Sequence, residues 1–82
     1  MIGDKGLLWF DDDPALTLPE KVEWACDAFR RKYTRKKIAH VLVHPSVIDN
    51  AVFATVGGVL VMPDTSILVH HFFVVQEEDD GD

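Results

Sequence analysis

The feature that most constrains this chain is that only one segment has helical periodicity, and it is set among short apolar runs with the period of strands. Thr17, Leu18, Pro19 and Glu20 form a capping box, in which the threonine hydroxyl and the glutamate carboxylate each satisfy a backbone N–H that the first helical turn leaves without a partner. From there Leu18, Val22, Ala25, Cys26, Phe29 and Tyr33 recur at three- and four-residue spacing and make one apolar stripe, while Glu20, Glu23, Asp27, Arg30 and Arg31 stay off it. Acids lead and bases trail, as the helix dipole prefers. One helix can cover only one face of a sheet, so the strands decide what remains exposed.

Gly6 to Phe10 reads as a short strand, ended by Asp11, Asp12, Asp13 and Pro14, residues that deplete strands and favour turns. Lys37 to His44 alternates as a strand should, with Ile38, His40, Leu42 and His44 on one face and Ala39, Val41 and Val43 on the other. Pro45 stops it. Ser46 with Asp49 suits the cap of one helical turn, before an irregular stretch through Phe53 to Gly57 and Gly58. Val59 to Met62 is a further strand, Pro63 to Ser66 a turn, and Ile67 to Val75 the last and most apolar strand. The expected fold is α+β, a small α/β domain with a mixed sheet of about four strands in the order β-α-β-β-β and one long helix packed on one face. The opening strand, helix and strand suggest a right-handed parallel unit. Residues 1–76 form the expected single domain, and residues 77–82 an acidic tail too charged to fold by itself.

Strands apolar on both faces, beneath a helix that covers one, leave an apolar patch that calls for a partner. A homodimer is expected, burying the second sheet face or pairing Ile67–Val75 as an edge strand. The net charge of −6 disfavours nucleic-acid binding by the whole molecule, which is driven by cations that displace phosphate counterions. Charge is segregated, however. Arg30, Arg31, Lys32, Arg35, Lys36 and Lys37 hold six of the eight basic residues and form the candidate anion- or partner-binding segment. No run approaches the roughly 18 apolar residues of a spanning helix, and Met1 to Asp13 carries carboxylates where a signal peptide has a cationic start and an apolar core. Cys26 is the only cysteine, which excludes an internal disulfide and a multi-cysteine zinc cage and fits a reducing cytoplasm.

The residues with most chemical capacity are aspartates and histidines near strand ends. Asp11 and Asp13 follow the first strand, where carboxylates suit Mg²⁺ or Mn²⁺. His40 and His44 are four apart on a strand, roughly 13 Å, and do not ligate one ion together. His70 and His71 are neighbours pointing to opposite faces. The candidate metal set therefore draws on separate strand ends: Asp11, Asp13, His44 and His71. No cofactor is predicted beyond such a divalent ion. Gly57 and Gly58 lack the lysine and spacing of a phosphate loop, and Pro63-Asp64 lacks the following acid-x-lysine of a nuclease motif. Cys26 lies on the core stripe and reads as a buried small apolar residue.

The pieces Trp9-Phe10-Asp11-Asp12-Asp13-Pro14, Val43-His44-Pro45, Gly58-Val59-Leu60-Val61-Met62-Pro63 and His71-Phe72-Phe73, with a helix ending near Tyr33, resemble a group of small uncharacterised bacterial proteins of unknown function. That resemblance implies no activity and directs attention to Asp11, Asp13, His44 and His71. The leading reading is a small cytoplasmic self-associating binding or regulatory protein, ahead of an enzyme. The alternatives are a metal-dependent hydrolase or nuclease using the strand-end aspartates and histidines, and an accessory subunit of a larger complex.

Overall fold

Local chemistry places the helix where the sequence does. In the computed structural model, which describes residues 6–48 and 54–77, α1 runs Leu18–Lys32. The Thr17 hydroxyl accepts the Glu20 N–H at 3.3 Å, and the Glu20 carboxylate accepts the Thr17 N–H at 2.8 Å. Pro19 sits in the first turn, where its missing N–H costs nothing. At the other end the Tyr33 N–H donates to the Phe29 carbonyl at 2.7 Å, and Arg30, Arg31 and Lys32 occupy the last turn. Among the described residues no helix is long and apolar enough to cross a membrane.

Five strands form one mixed sheet: β1 (Gly6–Phe10), β2 (Ile38–Val43), β3 (Ala54–Val56), β4 (Val59–Pro63) and β5 (His71–Gln76). Their spatial order is β1-β5-β2-β4-β3, and all neighbours are antiparallel except β2 and β4, which run parallel. The architecture is therefore α+β, one helix on a five-stranded sheet. The expected parallel unit is present in split form. β1 and β2 run the same way on either side of β5, which opposes both.

Several expectations need correction. Ala54–Val56, read as irregular, is a strand, because Gly57 and Gly58 both take positive φ (56° and 82°) and close a tight hairpin onto β4. The last strand begins at His71 and not at Ile67. The Ile67 N–H donates to the Asp64 carbonyl, the His71 N–H donates to the Leu68 carbonyl, and His70 takes a left-handed φ of 70°, so residues 64–70 are two consecutive turns. β5 is moreover internal, so it offers no edge to a partner. The helical turn after Pro45 is a 3₁₀ turn, Pro45–Val47, capped by His44; the cap suggested at Asp49 and the tail beyond Glu77 lie outside the described residues.

Strand register assigns the faces. Leu7, Trp9, Val41, Val43, Val61, Phe72 and Val74 share the face beneath α1; the last five join Val22, Ala25, Cys26, Phe29 and Ile48 in a buried cluster, against which the partly buried Leu7 and Trp9 pack. Ile38 joins this side because the β2–β5 register shifts between Ile38 and His40. The bulge thus separates Ile38 from His40, which simple alternation had put together. At Gly6 a Cβ would collide with the Val74 carbonyl oxygen, so the close approach of β1 to β5 requires glycine there.

Candidate functional site

Topology gathers the sequence-predicted residues at one end of the sheet. β1, β2 and β4 finish there and β5 starts there, so Asp11, His44, Asp64 and His71 follow or begin adjacent strands. The Asp11 N–H donates to the His70 carbonyl at 2.9 Å, and the Asp64 N–H donates to the Val43 carbonyl at 2.8 Å, tying the strand ends together. Outside the carboxyl ends of strands is the usual ligand position in α/β sheets.

The side chains there are engaged in local structure. Asp11 accepts the Asp13 N–H at 3.1 Å and Asp13 accepts the Ala15 N–H at 2.9 Å, two successive aspartate turns that lead into the helix cap. His44 Nδ1 accepts the Ser46 N–H at 3.1 Å and lies 2.8 Å from its hydroxyl. His71 Nδ1 is 3.1 Å from the Val69 carbonyl, which only accepts, so that nitrogen carries the proton. Asp64 accepts both the N–H and the hydroxyl of Ser66, at 2.8 and 2.5 Å, and these bonds hold its carboxyl below the usual range. Among the described residues no group of three or more His, Cys, Asp or Glu side chains is placed to hold a metal ion. Asp11, Asp13, His44 and His71 thus share one end of the sheet without forming a common ligand cage.

Beside them, between the sheet and the first turns of α1, lies a cavity of about 200 Å³ lined by Leu18, Lys21, Val47, His70 and Phe72. Sequence reasoning missed it. Residues 67–75 are apolar enough to read as one strand, and nothing in that pattern announces the left-handed turn that brings His70 to the cavity.

The basic segment occupies the opposite end of the helix. Arg30 lies 3.7 Å from Asp27, Arg31 Nε donates to the Asp27 carbonyl at 3.4 Å, and the Lys32 ammonium sits 5.7 Å from the centre of the Tyr33 ring. Arg35, Lys36 and Lys37 continue on the exposed connection to β2, and the Lys37 carbonyl accepts the Glu77 N–H at 2.7 Å. A second cavity, about 260 Å³, separates the helix from the β3–β4 hairpin and reaches Cys26. Burial pushes the Cys26 thiol up, Arg30 opposes the shift, and Asp27 and Glu23 add to it, which favours the protonated thiol.

Among the described residues no helix packs on the sheet face turned away from α1. Register places Gly6, Leu8, Phe10, Thr55, Leu60, Met62, Leu42, His40, His71, Phe73 and Val75 on it. Leu8 and Phe10 are 56% and 57% exposed. Phe10 also packs against the His71 ring at 5.0 Å between centroids. No Asp, Glu, Lys or Arg stands among these positions.

Together these features define a one-helix α+β domain with an open apolar sheet face and a polar strand-end region. No protein-family model matches the chain, and no curated protein or solved structure matches it either.

Proposed function

We propose that this protein is a small binding module that works as a homodimer, two copies packing their uncovered sheet faces against each other. The observation that supports the reading is the absence of any fixed charge on that face, in a chain whose net charge is −6. Two copies repel over most of their surface, and the open face is where they meet without opposing like charges. Sheets pack face to face at about 10 Å with interdigitated side chains, and the rows Leu8-Phe10, Phe73-Val75 and Leu60-Met62 supply such a layer.

Size points to a weak, reversible dimer. Five strands about 4.8 Å apart and about five residues long give a flat footprint of about 400 Å² per copy. Two such footprints amount to about 800 Å², below the roughly 1,200 Å² at which stable interfaces begin, which is the range of weak, transient association. Dissociation in the micromolar range is expected.

Sedimentation equilibrium between about 5 and 500 μM, a span chosen to bracket a micromolar constant, tests the reading. A concentration-dependent dimer that Phe10→Lys shifts to monomer, with the circular dichroism spectrum unchanged, supports it. A wild-type monomer across the whole range overturns it.

A further inference from the structure

The cavity beside the strand ends combines three features that α1, the 3₁₀ turn and the 64–70 turns bring together. Its floor is apolar, from Leu18, Val47 and Phe72, and its remaining lining residues, Lys21 and His70, are both hydrogen-bond donors. None of the five carries negative charge. Lys21 stands in the second turn of α1 and His70 enters from the loop before β5, so the two donors come from separate elements.

His70 is also the one non-glycine residue with positive φ among the described residues. The conformation is fixed from both sides, its carbonyl accepting the Asp11 N–H and the next N–H donating to Leu68. Glycine adopts such a φ without strain, whereas a side chain there is disfavoured. Histidine at this point therefore has a backbone cost, and the residue lines the cavity.

We propose that this cavity binds a small organic monocarboxylate, its carboxylate held by Lys21 and His70 and its short apolar body lying on Leu18, Val47 and Phe72. Two donors match the two oxygens of one carboxylate. Inorganic phosphate would leave polar oxygens against the apolar floor, and an amine would meet Lys21. About 200 Å³ is the space of roughly seven waters at about 30 Å³ each, which suits a chain of four or five carbons. The site lies on the helix side of the sheet and does not depend on self-association.

The test is an NMR titration of the isotope-labelled full chain with butyrate, with inorganic phosphate and butylamine as comparators. Butyrate is expected to bind in the millimolar range, as so few contacts allow, with shifts centred on Leu18, Lys21, Val47, His70 and Phe72. Lys21→Met should weaken binding roughly tenfold, as loss of a charge-assisted bond does. His70→Gly should weaken it severalfold while the thermal midpoint stays level or rises, which separates a ligand contact from a structural role. Absence of localised shifts at about 50 mM butyrate, far above the expected constant, overturns the proposal. Equal responses to phosphate, or an unchanged affinity in Lys21→Met, overturn it as well.

Discussion

The two faces of one sheet have opposite fates in this molecule. Beneath α1, Val22, Ala25 and Phe29 meet Val41, Val43, Val61, Phe72 and Val74, and every one of these side chains is fully or almost fully buried. On the other face, residues of similar hydrophobicity stand partly open, with Leu8 and Phe10 more than half exposed. Only Phe73 is buried there, flanked by its cross-strand neighbours Leu8 and Leu42. Hydrophobicity alone therefore does not define a core. A second layer does, and among the described residues one α-helix supplies it.

Mutations measure how unequal the faces are. Phe29→Ala, on the covered side, should cost about 3–5 kcal/mol in urea unfolding, because a rigid cluster cannot close the void. A loss below about 1 kcal/mol would mean that α1 is not the lid of the core. Thr17→Ala removes the hydroxyl that accepts the Glu20 N–H and should cost about 1 kcal/mol by loosening that lid at its start. Leu8→Ala, on the open side, should cost less than about 1 kcal/mol in dilute solution, since much of the side chain already meets solvent. Its cost should grow with protein concentration if a second copy covers that face, and a constant value would break the comparison in favour of a permanently open sheet.

The smallest effect lies at the strand ends. Asp64 has a carboxyl held low by Ser66, so its contribution to stability is present above the unfolded-state value of about 3.9 and is lost as pH falls through the lowered folded value. Ser66→Ala should return the Asp64 titration, followed by carboxyl NMR, towards the ordinary range and leave the rest of the molecule unchanged. An unaltered titration would show that the two Ser66 bonds do not govern it.

What could be read from the sequence was governed by local chemistry. The capping box, the apolar stripe and the strand Gly6–Phe10 were legible because side chains within a few residues of one another determine them. β3 is hard to read because Ala54-Thr55-Val56 is only three residues long and has little pattern of its own, even though Gly57-Gly58 between two β-branched runs is a hairpin signal. The start of β5 is not legible because Ile67, Leu68 and Val69 are as apolar as a strand, while their turns depend on carbonyls that only the folded loop presents. Sequence places Asp11 and His44 at ends of strands but puts His71 inside one, and the hydrogen bonds that commit each to its own turn follow from tertiary placement.

The sheet order has a further consequence, for the timing of folding. β5 follows the other four strands in the sequence yet lies between β1 and β2, so neither half of the sheet joins the other until His71–Gln76 is in place. A chain emerging during synthesis can form α1 and the β3–β4 hairpin, while β1 remains without a strand partner. Such long-range closure is slow and leaves apolar strands waiting in solvent. The insertion of β5 therefore closes the sheet last, and it is the step at which folding is most exposed to aggregation.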